Sequence, residues 1–213
     1  MSESQSEMDY LQDVVLKSLY ETAAELLPIG SLEGIHEYRR QLTLETDRGC
    51  ALAAAAFLDS ELETLLRRYL VDDSSVVQRL FDGNGSFSTF STKIDSAYSL
   101  GLLTKHSMLG IHLVRKIRNE FAHKLSQTEF VSGRVKDWCR LLEPYSLLGT
   151  VGNERRLFES STMFFLAELR STASKISGHR PELQLNYSKA LREQVRQAID
   201  EMLKFVPTET EPT

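Results

Sequence analysis

Apolar residues recur at helical spacing along most of the chain, and the breaks between runs fall at proline, glycine and Asp/Ser clusters. From Asp9 to Leu27, the residues Leu11, Val14, Val15, Leu19, Ala23 and Leu26 follow the helical period, and Pro28 with Gly30 ends the run. Ser31 is placed to cap a shorter helix through Leu44. Asp47 opens a longer one, with Leu52, Ala55, Leu58, Leu62, Leu65, Leu66 and Tyr69 in one stripe and Asp59, Glu61, Glu63, Arg67 and Arg68 on the other side. Asp72-Asp73-Ser74-Ser75 stops that helix and caps a short one ending near Phe81. Asp82-Gly83-Asn84-Gly85-Ser86 reads as a tight connection whose glycines supply positive φ.

A helix over Phe87–Leu100 follows, with Phe90, Ile94, Ala97 and Tyr98 inward. Thr104 can cap the next, which runs to about Ala122. Trp138, Leu141 and Leu142 close a short helix before Pro144, and the Gly149–Gly152 segment is a loop. Leu157 to Ile176 is apolar on one side, and the Gly178-His179-Arg180-Pro181 break separates it from a last amphipathic helix, about Ser188 to Phe205. No alternating run is long enough to force a sheet. The pattern predicts an all-α helical bundle, a single domain over 9–206, with polar, acidic tails at 1–8 and 207–213.

Composition narrows the function classes. The longest apolar run, Ala51–Leu58, is too short to span a bilayer, and Met1-Ser-Glu-Ser-Gln lacks a signal-peptide layout, so the expected setting is cytoplasmic with no membrane contact. Cys50 and Cys139 have no CxxC partner and read as small buried hydrophobes. The net charge of -5 disfavours a DNA-coating protein. That average conceals an asymmetry: Thr104–Arg140 holds eight basic residues against three acidic ones, +5, which leaves -10 for the remainder. Such a segment suits RNA, an acidic protein partner or a second copy, and equally a solvated helix face.

Several fixed-spacing features coincide in the middle of the chain: Leu80-Phe81-Asp82-Gly83-Asn84-Gly85-Ser86-Phe87, Phe90-Ser91-Thr92-Lys93-Ile94-Asp95, Tyr98-Ser99-Leu100-Gly101-Leu102-Leu103 and Ile117-Arg118-Asn119-Glu120-Phe121-Ala122-His123. Over about residues 50–130 these resemble the mannitol operon repressor family, with Ser86 standing where that family often has proline. The resemblance implies a helical fold and gene regulation through protein contacts. It does not imply a DNA-reading helix, and direct DNA binding is not expected. The Leu100-Gly101-Leu102-Leu103 junction is too apolar for a helix-turn-helix, whose second helix must open with base-reaching polar residues.

Arg118-Asn119-x-x-x-His123 also resembles the catalytic motif of HEPN-type ribonucleases, helical proteins in which two copies of the motif helix pair across a dimer. Metal-independent RNA cleavage needs a group that exchanges a proton near neutral pH, which an imidazole supplies. It also needs a permanent cation for the charge on phosphorus, which a guanidinium supplies. Five residues of helix rotate by about 140°, so Arg118 and His123 share a face only if the helix frays or bends between them. His112, Arg115 and Asn119 form a polar stripe opposite Leu113, Ile117 and Phe121, which with Lys116 and Lys124 makes a candidate binding face. A structural role stands beside the catalytic one: Arg118 bridging to Asp95 or Glu120, Asn119 tying the helix end to a loop, and His123 meeting the helix dipole for about 0.3–1 kcal/mol.

His36, His106 and His179 are isolated, and neither an HExxH nor a Gly-x-Ser-x-Gly pattern is present, so no metal and no cofactor are expected. Two functional readings remain. One is a non-enzymatic regulator that works as a homodimer and binds another protein through Thr104–Arg140. The other is a HEPN-type endoribonuclease acting on RNA with Arg118, Asn119 and His123.

Overall fold

A computed structural model describes residues 32–126, 129–146, 153–182 and 187–204. The expected helix over Asp9–Leu27, its neighbour's cap at Ser31, the two tails and the Gly149–Gly152 loop lie outside these residues. The chain divides into two compact units, Met1–Arg180 and Pro181–Thr213. The first contains α1 (Leu32–Leu44), α2 (Asp47–Tyr69), α3 (Ser74–Phe81), α4 (Phe90–Ser99), α5 (Lys105–His123), α6 (Gly133–Arg140), a 3-10 turn at Glu143–Tyr145 and α7 (Glu154–Lys175). In the second, the described element is α8 (Tyr187–Leu203). The described residues contain no strand, only an isolated bridge between Val71 and Arg180, so the all-α expectation holds. No described helix is long and apolar enough to cross a membrane.

Local chemistry starts several of the helices. Thr46 caps α2 by accepting from the Gly49 amide, Asp73 caps α3 by accepting from the amides of Ser75 and Val76, and Thr104 caps α5 by accepting from the Ser107 amide. Helix α4 begins three residues later than the pattern predicts, because Thr89 and Thr92 form a capping box there. Phe87 instead belongs to the preceding turn, where its amide donates to the Leu80 carbonyl and its ring packs edge-on to Phe81. Only one of the two glycines in that turn is needed for positive φ. Gly83 has φ 55°, whereas a Cβ on Gly85 would lie 2.3 Å from the carbonyl oxygens of Arg79 and Leu80.

Helix α2 is the centre of the first unit and packs against α5, α4 and α7. Its buried side is Cys50, Ala51, Ala54, Ala55, Leu58, Leu62, Leu65 and Leu66, while Leu52 and Tyr69 sit at the edge of the stripe expected to contain them. Small residues in its first turns let α7 approach closely, and larger ones fill the space further along. Phe121, Phe130, Phe158 and Phe165 complete the core, with Phe130 between Phe121 and Phe158. Tyr98, expected inside, is exposed.

The residue that instead turns inward on α4 is Lys93, 5% exposed, on the same side as Ile94 and Ala97. Its Nζ donates to Glu63 Oε2 at 2.8 Å and lies 3.1 Å from Asp59 Oδ1, two carboxylates one turn apart on α2. The Asp59 contact is electrostatic rather than a hydrogen bond, since Oδ1 has no hydrogen-bond partner. Burial raises the Glu63 carboxyl, but hydrogen bonds from Lys93 and Arg67 outweigh it and hold the group below its ordinary value. A charge buried to this degree persists only because it is paired. Lys93→Met is therefore expected to lower the unfolding free energy by about 2–3 kcal/mol in urea titration. Adding Asp59→Asn and Glu63→Gln is expected to restore most of that loss; a triple variant no better than Lys93→Met would show that the clamp is not the cause.

Candidate functional site

Helix α5 and its C-cap Lys124 carry the residues that the sequence marks as catalytic or binding candidates. Ser107, Gly110, Ile111, Val114, Ile117 and Phe121 bury one side of it. Gly110 allows the closest approach: a Cβ there would lie 2.3 Å from the Phe165 ring and 2.8 Å from that of Tyr145. The register of α5 against α7 and the 3-10 turn is thereby set, and the opposite side must face out. At about 100° per residue, His112, Lys116, Asn119 and His123 (i, i+4, i+7, i+11) align on that outer side. Leu109, 50% exposed, lies beside them.

The helix remains regular through His123, its last residue, so the frayed last turn expected from the motif is not observed. Arg118 and His123 therefore leave the backbone on different sides. The side chains narrow the difference. Arg118 Nη1 donates to Asn119 Oδ1 at 2.9 Å, and Asn119 stands one turn before His123 on the same stripe. Arg118 and His123 are both exposed. Neither suggested carboxylate contacts Arg118: Asp95 Oδ1 accepts from His112 Nε2, and Glu120 pairs with Lys124. The cation of the motif is thus held by a neutral amide, with no acidic partner among the described residues.

The remaining binding candidates divide between engaged and open groups. His112 Nε2 lies 2.8 Å from Asp95 Oδ1 and links α5 to α4. His112 Nδ1 and Arg115 Nε, one turn apart, are shielded from solvent without a hydrogen-bond partner. Lys116 is exposed, and Lys124 is exposed but occupied by Glu120 at 2.5 Å. Elsewhere in the basic segment Arg140 pairs with Glu154 at 3.3 Å. The stretch beyond α5 is anchored by Arg48, whose Nη2 donates to the carbonyls of Lys124 and Leu125. Among the described residues no group of three or more His, Cys, Asp or Glu side chains is placed to hold a metal ion.

A polar cluster on the buried side escaped the sequence reading. Ser107 Oγ donates to Glu168 Oε2 from α7 and accepts from Thr104 Oγ1 at 3.0 Å, while Tyr145 stacks on the His106 ring and donates to the His106 carbonyl. The available signals were a serine on the apolar side of α5 and a glutamate within the apolar run of α7. Burial raises the Glu168 carboxyl above its ordinary value, against the lowering effects of the Ser107 hydrogen bond and His106. A raised folded value means that the fold favours the protonated acid: its stabilising contribution is full below about 4.5 and is lost as pH rises through the folded value. Glu168→Gln, which keeps an acceptor for Ser107, is expected to raise the urea midpoint at about pH 7 and change it little at about pH 4. An equal loss at both would refute the desolvation account.

No protein-family model matches the chain, and no curated protein matches it. The fold defines a class nonetheless: a helical bundle of the MtlR-like kind. A similar solved structure is the X-ray structure of the MtlR-HPr complex from Escherichia coli, with TM-score 0.52 and 18% sequence identity, the likeness covering 66% of this chain and 98% of that one. At this identity the likeness concerns the fold. It agrees with the family resemblance read from residues 50–130 at the level of architecture.

Proposed function

We propose that this protein is a cytoplasmic regulator that acts by binding another protein, and that the outer face of α5 is its docking surface. The observation that carries the reading is the MtlR-like fold, seen in a structure where MtlR is in complex with HPr. The α5 face supports it. Leu109 is an exposed apolar group flanked by Lys105, His112 and Lys116, and Arg118 adds an exposed guanidinium without an acidic partner among the described residues. An apolar centre with a cationic rim suits a partner surface that is acidic around an apolar patch. DNA reading is disfavoured because the junction before α5 is apolar, with Leu102 and Leu103 buried.

Titration of the full chain with purified HPr by calorimetry tests this reading. Saturable binding is expected, weakened about tenfold by Lys116→Glu with Arg118→Glu, roughly 1.4 kcal/mol. No binding by the unmodified chain, or binding indifferent to both reversals, overturns respectively the partner or the surface. The ribonuclease reading draws on the exposure of Arg118 and His123 and on the amide that turns Arg118 toward the His123 stripe. It requires two α5 faces to meet. Incubation with total RNA in chelator decides it: cleavage lost in His123→Ala supports the enzyme, and cleavage unaffected by that change excludes His123.

A further inference from the structure

Helix α8 carries an apolar stripe that no other described element of its unit covers. Leu191, Val195, Ile199 and Met202 (i, i+4, i+8, i+11) lie on one side, each between 48% and 72% exposed. A helix of 17 residues draws most of its stability from packing such a face, and on its own it is marginal in water. Its charges make isolation less favourable still. Lys189, Arg192 and Arg196 against Glu193 give the amino-terminal part, residues 187–196, a net +2; Asp200 and Glu201 give residues 197–203 a net -2. The first turn has no acid and the last turn no base, so the side-chain charges run in the same direction as the helix macrodipole and oppose its usual stabilisation.

We infer that α8 pairs with α8 of a second copy, antiparallel and centred on Val195. In that arrangement Leu191 of each copy meets Ile199 of the other, the two Val195 side chains meet on the two-fold axis, and the apolar stripes cover each other. The cationic start of each helix, Lys189 and Arg192, lies beside the acidic end of the other, Asp200 and Glu201. The two macrodipoles also oppose. Parallel pairing would bring +2 against +2 and align the dipoles, so the charge pattern selects the antiparallel form. The interface is isologous, each copy offering the same surface, as a closed dimer requires. This inference is independent of the α5 partner surface, since it rests on residues of another unit.

Sedimentation of the full chain over a range of concentrations, together with thiol cross-linking, tests it. Cys50 and Cys139 are buried, so an introduced thiol is the reactive one. The unmodified chain is expected to sediment as a dimer that dissociates on dilution, and Val195→Glu as a monomer at the same loading. Val195→Cys is expected to link to itself under mild oxidation. Leu191→Cys is expected to link only when mixed with Ile199→Cys, because two antiparallel Leu191 positions lie eight residues apart in register, about 12 Å. A chain that stays monomeric at every loading, a dimer indifferent to Val195→Glu, or self-linking of Leu191→Cys would each overturn the proposal.

Discussion

The guanidinium of Arg155 joins three helices of the first unit. From α7 it pairs with Asp47 at 2.7 Å and Glu159 at 2.8 Å, and it donates to the carbonyls of Leu42 and Glu45. Those carbonyls belong to the end of α1 and the link to α2, where helix geometry leaves acceptors without intrahelical donors. Asp47 spends its second oxygen on the Phe130 amide at 2.9 Å. One planar cation, matched in shape to carboxylate and carbonyl acceptors, therefore fixes the end of α1, the start of α2, α7 and the segment after α5. Burial alone would lower the Arg155 value, but its acidic partners outweigh this and raise it.

The exposed face follows from that junction. Phe130, held by Asp47, packs against Phe121 in the last turns of α5, while Gly110 presses the first half of α5 against Phe165 and Tyr145. With one side of the helix held at both ends, His112, Lys116, Asn119 and His123 have no choice of orientation. The face is pre-organised by packing, which lowers the conformational cost of docking on it. Arg118 is positioned differently: a single hydrogen bond from a long side chain orients it, and that bond can exchange for one to a ligand.

Buried polar groups mark where the bundle is specified rather than merely packed. Lys93 between Asp59 and Glu63 registers α4 on α2, and Ser107 with Glu168 registers α5 on α7. A slip of one turn would leave the charge or carboxyl without its partner and its desolvation uncompensated.

The sequence alone determined what depends on neighbours along the chain. Helical period, caps and breakers placed α2, α3, α5 and α7 close to their observed limits, because Thr104, Asp73 and their like act on amides two or three residues away. The resemblance in residues 50–130 pointed to the architecture, and the motif on α5 was legible as a spacing. What required the tertiary structure was every choice between two sides. Lys93 turned inward and Tyr98 outward because carboxylates on α2, distant in sequence, pay for the burial of a charge and nothing equivalent covers the phenol. Arg118 bonds Asn119 rather than Asp95 or Glu120, which instead pair with His112 and Lys124. Such competition among partners is a property of the packed chain, and no local pattern encodes its outcome.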